Sequence, residues 1–222
     1  MYQKFFKRIL DVILSLIALI ILSPLLIILT FVGAIQMCGN PFFLQDRPGK
    51  DEKIFKLIKF RTMTNEKDKD GNLLPDEKRL NKYGEFLRKT SFDEWPELIN
   101  ILKGDMSIVG PRPQLVKDMI FMTPEQRRRH TVMPGLTGLA QVNGRNSISW
   151  EKKINWDLKY IDQGISFWHD FSIVIKTVGK VLKHSDIVRE GTVSDLDLGE
   201  YLVKENKITT DEYISKISML TK

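Results

Sequence analysis

The chain has 222 residues, 42% hydrophobic and 28% charged. That is enough for one buried core and short for two full domains, so one soluble domain with appendages is expected. A net charge of +6 and a pI near 9.3 point to an anionic partner; beside an apolar N-terminal segment this means an acidic membrane surface and phosphorylated substrates, not nucleic acid.

Cys38 is the only cysteine, which rules out an intramolecular disulfide and fits a reducing, cytoplasmic face. The three histidines, His130, His169 and His184, lack metal-ligand spacing, so no transition-metal site is expected.

Val12 to Ile35 runs without a charge, about 24 residues and about 36 Å of helix. A cleaved signal peptide would have a shorter apolar region, about 7 to 15 residues, followed by a small-residue cleavage site. Lys4, Lys7 and Arg8 precede the run, and Arg47, Lys50, Lys53, Lys56, Lys59 and Arg61 follow it, so the positive-inside rule puts both ends in the cytoplasm. Ser23 and Pro24 stand in the middle, where proline removes a helical hydrogen bond and the serine hydroxyl can satisfy the freed carbonyl. The reading is a re-entrant membrane helix that turns at Ser23–Pro24 and leaves on the side it entered. A kinked transmembrane helix is the alternative.

Phe42 to Gln45 and Ile54 to Phe60 read as strands of a hairpin around the turn signal Arg47-Pro48-Gly49-Lys50. The second ends in Lys59-Phe60-Arg61-Thr62-Met63, with Lys59 and Arg61 on one face. Asn65 to Pro75 is polar and reads as a loop. Asp76 to Lys89 reads as one helix with Leu80, Tyr83 and Leu87 on a stripe, and Arg88 and Lys89 close it.

Next comes the acidic pair Asp93–Glu94. Ser91 and Glu94 have capping-box spacing, and the apolar run Leu98, Ile99, Ile101, Leu102 leads to Gly104. With Ser91 as cap, Pro96 falls in the second turn; with Asp93 as cap, it falls in the first. Either way both carboxylates lie at a helix N-terminus. Capping alone explains such acids, with a contribution of roughly 0.3 to 1 kcal/mol each. The company of Lys59, Arg61, Arg88, Lys89, Arg112 and Arg145 suggests more, because a carboxylate that must meet a phosphate needs cations around it.

Two glycine-rich stretches follow, Gly104 to Pro113 and Pro134 to Asn146. Both read as irregular loops that carry Arg112 and Arg145, and neither matches a P-loop or a dinucleotide fingerprint. Trp150 to Ile161 is an amphipathic helix with Trp150, Ile154, Leu158 and Ile161 on one stripe. Ser166 is set to cap another, in which Phe171, Val174, Ile175, Val178, Val181 and Leu182 oppose Lys176, Lys180 and Lys183. That face suits either the core or a membrane headgroup plane, where Trp150, Trp156, Phe167 and Trp168 would also fit. From Ser185 the chain is polar, with a short helix expected over Thr210 to Leu220.

KFRTM at Lys59 to Met63, Asp93–Glu94 in SFDEWPEL, GDMSIVGPRP and PGLTGLAQVNGRN resemble, in content and order, the monotopic bacterial sugar transferases. These are the small polyprenyl-phosphate phosphoglycosyl transferases, and the resemblance covers about residues 1 to 185. It implies an enzyme of the bacterial inner membrane that moves a sugar 1-phosphate from a UDP-sugar to undecaprenyl phosphate on the cytoplasmic leaflet, releasing UMP, with magnesium. This would be the first membrane step of glycan assembly. Asp93 matches the family's nucleophile, which forms an aspartyl-phosphosugar intermediate. Glu94 matches the glutamate associated with the metal and with activating the acceptor, and Ser23–Pro24 the helix break. Trp95 and Glu97 depart from the pattern, in which leucine and glutamine are commoner.

Elementary chemistry agrees. A carboxylate can accept a phosphoryl group covalently, and magnesium favours one or two carboxylates plus phosphate oxygens, which suits Glu94 with Asp93. Lys59, Arg61, Arg88, Arg112 and Arg145 would bind substrate and offset its charge. The fold expected is mixed α/β, mainly helical: a re-entrant membrane helix over 1–40, a cytoplasmic catalytic domain with a small hairpin and interfacial helices over 41–185, and a polar tail over 186–222. Two rival readings are a metal-dependent glycosyltransferase that releases UDP and a non-catalytic membrane-anchored scaffold.

Overall fold

The computed structural model describes residues 1–144, 148–182 and 196–220. A π-helical turn at Tyr2–Phe6 leads into α1, Lys7–Gln36. Together they make a helix of 35 residues, long and apolar enough to cross a membrane by length and composition. The helical segment does not end at Ser23–Pro24; Pro24 lies inside it. The Ser23 hydroxyl donates to the Ile20 carbonyl at 2.8 Å, the carbonyl that proline, lacking an N–H, leaves without its usual donor.

The faces of α1 divide at helical spacing. Ala18, Leu19 and Leu22 pack on Leu57, Leu98, Ile101 and Met106, and Leu25, Leu26 and Leu29 pack with Phe60 and Leu87. Ile13, Ile17, Ile20, Ile28, Phe31 and Ile35 are exposed along the other side. Both ends are tied to the same globular body. Near the start, Lys7 pairs with Asp170 at 2.5 Å, Arg8 donates to the carbonyls of Ile101 and Leu102 at 2.5 and 2.8 Å, and Asp11 accepts from the Ile108 N–H at 2.9 Å. Near the end, the Tyr83 hydroxyl donates to Leu29 O at 2.8 Å and Asn81 Nδ2 to Gln36 O at 3.3 Å.

β1 (Phe42–Pro48) and β2 (Ile54–Phe60) form an antiparallel hairpin with Phe42 opposite Phe60 and Pro48 opposite Ile54. Pairing runs past Gln45, so the turn falls at Lys50–Glu52, not on Arg47-Pro48-Gly49-Lys50. The single helix expected over Asp76 to Lys89 is two, α2 (Asp76–Arg79) and α3 (Lys82–Thr90). Leu80 is extended and bridges Met63, and Asn81 caps α3 by accepting from the Gly84 N–H at 2.9 Å. Gly84 is needed there, because a Cβ would lie 1.9 Å from the Thr62 carbonyl.

After α3 comes a one-turn 3-10 helix, Phe92–Glu94, then α4, Glu97–Lys103, which ends on left-handed Gly104 (φ 93°). The two glycine-rich stretches are more regular than expected. They contribute β3 (Ser107–Val109) and β4 (Gly135–Thr137), a parallel pair. Between them lie a 3-10 segment, Val116–Phe121, and α5, Pro124–Arg127. The strands approach so closely that a Cβ on Gly135 would sit 2.1 Å from Gly110 N, and α6 (Leu139–Val142) follows.

α7 (Trp150–Asp162) and α8 (Phe167–Leu182) start at Ser149 and Ser166, whose hydroxyls each accept from the N–H three residues on at 3.3 Å. Trp150 is not an interfacial side chain: it is buried with Phe121, Met122, Ile154 and Leu198. Trp156 is partly buried, whereas Phe167 and Trp168 are exposed. α8 turns Ile173 and Val174 to the core, and Phe171, Ile175, Val178 and Val181 are exposed. Most of its apolar stripe is therefore surface. Lys183 and the Leu182 side chain lie outside the described residues. In the polar tail, α9 (Leu198–Lys204) and α10 (Thr210–Ser218) pack Leu198, Tyr201, Leu202 and Tyr213 onto the Phe121–Trp150 cluster.

Candidate active site

Asp93 and Glu94 owe their position to how α3 stops. Ser91 takes the left-handed conformation (φ 58°), and its N–H closes onto the carbonyls of Arg88 and Leu87. Chain reversal then puts Phe92–Glu94 into a tight turn, where Phe92 packs against Trp95 with ring centroids 4.1 Å apart and the planes tilted by 43°. Neither Ser91 nor Asp93 caps the following helix. Pro96 occupies its N-cap, and no side chain bonds the first turn. The carboxylates are thereby left available for other partners.

Glu94 has taken such partners. Arg112 grips it with both guanidinium nitrogens, Nη1 to Oε2 at 3.3 Å and Nη2 to Oε1 in a tighter contact, and Lys59 Nζ lies 3.4 Å from Oε1. Asp93 makes no hydrogen bond or ion pair among the described residues, although Lys59, Arg112 and Arg88 all act on it electrostatically. Burial first, then the adjacent Glu94 charge, push its carboxyl up to about 6 against those cations. In Arg112, burial opposes the charge, but Glu94 and Glu97 outweigh it and hold the guanidinium firmly protonated.

Lys59 reaches the pair from the end of β2, with its neighbour Phe60 buried on the other face. Arg88 projects from the end of α3 and donates from Nε to Thr62 Oγ1 at 3.0 Å. Lys59, Arg88 and Arg112, from three separate segments, thus converge on the acid pair. Arg61 does not: its side chain makes no ion pair or hydrogen bond among the described residues, and only its backbone N–H is engaged, with Pro41 O at 2.7 Å. Arg145 lies outside the described residues. Ser23 and Pro24 sit in α1, remote in role from the carboxylates.

Three further side chains complete the site. Glu97, 1% exposed, faces Lys59 Nζ at 3.2 Å through Oε1, and its Oε2 has no hydrogen-bond partner among the described residues. Burial above all drives its carboxyl upward, opposed by Lys59. In sequence Glu97 is visible only as a departure from the family pattern. Arg129 supports Arg112 from behind: its Nη2 donates to the Arg112 carbonyl at 2.7 Å and to buried Asp157 Oδ2 at 2.6 Å. Gln141 holds a buried amide with no partner among the described residues. No spacing rule links Arg129 to Asp157, and only packing reveals either residue or Gln141.

Chemically, this is one carboxylate without a partner among the described residues beside a clamped one, within reach of several cations. Among the described residues no three His, Cys, Asp or Glu side chains gather into a metal cage. Magnesium does not need one, since it keeps waters and takes one or two carboxylates plus phosphate oxygens. The like charge that raises Asp93 is one a divalent cation relieves, so Asp93 and Glu94 fit that ion.

The sequence model of the bacterial sugar transferases matches residues 2–184. The uncharacterised sugar transferase EpsL of Bacillus subtilis is 47% identical over 188 residues, 85% of this chain and 93% of that protein. The UDP-glucose:undecaprenyl-phosphate glucose-1-phosphate transferase of Klebsiella pneumoniae is 41% identical over 185 residues, 79% of this chain and 40% of the relative. The undecaprenyl-phosphate galactose phosphotransferase of Salmonella typhimurium is 35% identical over 200 residues, 82% and 41% respectively. The chain therefore spans nearly all of the first relative and about two fifths of the other two.

Proposed function

This chain belongs to the bacterial sugar transferase family, and from that premise we propose that it transfers a sugar 1-phosphate from a UDP-sugar to undecaprenyl phosphate and releases UMP. The observation that carries the assignment of roles is the contrast within the acid pair: among the described residues Asp93 has no hydrogen-bond or ion-pair partner, while Glu94 is held by Arg112 and Lys59. In the first step an Asp93 carboxylate oxygen attacks the sugar-bearing phosphorus of the UDP-sugar. The bond to the bridging oxygen breaks, and UMP departs with that oxygen and its electron pair. In the second, a phosphate oxygen of the polyprenyl phosphate attacks the same phosphorus and expels the Asp93 carboxylate, giving polyprenyl-diphosphate-sugar. Dividing the displacement means that two highly charged substrates need not occupy the site together.

Arg112, Lys59 and Arg88 neutralise negative charge on the transferring group and on UMP. Glu94, fixed by Arg112, is placed to orient the acceptor phosphate. Bound through Asp93 and Glu94, magnesium would supply Lewis-acid polarisation of the phosphate oxygens. The test is the identity of the released nucleotide when detergent-purified protein meets magnesium, a panel of UDP-sugars and a short polyprenyl phosphate. UMP is expected. UDP would mean transfer of the sugar alone, and the role assigned to Asp93 would fall.

The lipid acceptor requires a membrane, and the re-entrant reading of α1 supplies one on the cytoplasmic face. What supports it is that Lys7 and Arg8 at one end and Leu29 and Gln36 towards the other contact the same charged body. A perpendicular span would hold the two ends about 30 Å apart across hydrocarbon. Exposed Cys38 is a built-in probe. In oriented membrane vesicles an impermeant maleimide should label Cys38, and a Gln3→Cys probe in a Cys38→Ser background, from the cytoplasmic side only. Labelling of the two from opposite sides would refute the re-entrant topology.

A further inference from the structure

A groove of about 260 Å³ reaches Glu94 and Arg112. Leu136 of β4, Val142 of α6 and Val174, Val178 and Val181 of α8 form its apolar walls. Two hydroxyls that face it are already committed. Thr177 donates to Ile173 O at 2.8 Å, so in its 2.6 Å contact with Thr137 the proton comes from Thr137. Val178 and Val181 belong at once to the groove and to the exposed face of α8 that carries Phe171 and Ile175. The groove thus runs from the charged site to an apolar surface, with Lys180 also on its lining.

From this continuity we infer that the groove seats the leading isoprene units of the polyprenyl phosphate acceptor. The phosphate lies towards Arg112, and the rest of the tail passes over Val178 and Val181 into the bilayer. The inference rests on the reaction proposed above and adds the acceptor's path. Ser91, Gln141 and Lys180 also line the groove, but its walls are mainly apolar. A uridine or a sugar placed here would set most of its hydroxyls against valine and leucine, where a polar group without a partner is costly. An isoprenoid chain has no such groups, and its phosphate meets the guanidinium that the groove reaches. The volume is somewhat below the roughly 300–1,000 Å³ of small-ligand pockets, which suits the head of the chain and not its whole length. The exposed apolar face of α8, otherwise unsuited to water, then has a reason: it continues the groove at the membrane surface.

The test is photocrosslinking of the full chain in nanodiscs, without UDP-sugar, by a polyprenyl phosphate bearing a diazirine on its second isoprene unit. Adducts are expected on peptides containing residues 136–142 and 174–181. Excess plain polyprenyl phosphate should suppress them, and an equal excess of phosphatidic acid should not. Val178→Trp, which fills the mouth from an exposed position, is expected to raise the KM for polyprenyl phosphate by about tenfold and to leave that for the UDP-sugar within about twofold. Val181→Trp should act in the same direction. Adducts confined to the outer face of α1, equal competition by phosphatidic acid, or a rise in the UDP-sugar KM instead would each overturn the inference. Crosslinking needs no turnover, so the two readings fail separately. Groove adducts without UMP release would refute the reaction and keep the groove, and UMP release with adducts elsewhere would refute the groove alone.

Discussion

Asp93→Asn is expected to lower UMP release by at least about a thousandfold, the order of loss seen when a covalent nucleophile is removed, while the protein stays folded. The amide matches the carboxylate in size but cannot form the acyl phosphate. Because Asp93 makes no hydrogen bond or ion pair among the described residues, no described partner is orphaned by the change. Mass spectrometry after incubation with UDP-sugar alone should find a phosphosugar adduct on the native chain and none on the variant. Activity retained within about tenfold would remove Asp93 from the nucleophile's role.

The same variant carries a stability signature with a fixed sign. The folded protein holds the Asp93 proton up to about pH 6, whereas the ordinary value is 3.8. The folded state thus binds more protons across that window, and the native chain loses stability as pH rises through it. Asparagine cannot ionise. In EDTA, Asp93→Asn should therefore melt a few degrees above the native chain at pH 8, and the difference should shrink towards zero near pH 4. A variant less stable than the native chain at pH 8 would mean that the carboxylate is a structural asset.

Arg129→Leu is the second large effect, and it concerns the frame of the site. Arg129 and Asp157 are 2% and 2% exposed, so removing the guanidinium strands a buried carboxylate and withdraws the donor to the Arg112 carbonyl. Breaking a buried pair from one side costs about 3–5 kcal/mol, a fall in melting temperature of roughly 6–20 °C for a chain of this size. Burial already raises the Asp157 carboxyl, with Arg129 opposing the rise. Without Arg129 the shift grows, so the deficit should be larger at pH 8 than at pH 5, where the stranded group can take up a proton. Arg129→Leu with Asp157→Leu should recover much of the loss, because no charge is then left unpaired. A single variant that melts within about 1 °C of the native chain at pH 8 would show the pair to be energetically idle.

The acid pair and the cations around it were legible because acids and basic residues cluster within short stretches of sequence. Their division of labour was not. Capping-box spacing at Ser91 and Glu94 suggested a helix start, but left-handed Ser91 ends α3 and Pro96 opens α4. Local preference there yields to the packing of Phe92 on Trp95. Arg61 alternates with Phe60 as the two-residue period requires, yet Lys59 is the side chain that reaches the carboxylates. Trp150 looks suited to an interface by composition and is buried because α9 covers it.

Properties confined to one segment were determined by the sequence itself: the long apolar helix with its proline, the hairpin, the stripes of α7 and α8, the glycines where strands touch, and the family. Each follows from periodicity or from a backbone conformation that few residues allow. What the tertiary structure decided is which charges meet. Glu94 is clamped, Asp93 left open, Glu97 buried against Lys59 and Arg112 braced by Arg129, because side chains up to about forty positions apart are brought within 4 Å by packing, and electrostatics in a buried site depends on distance and solvent exclusion, neither of which a linear pattern contains.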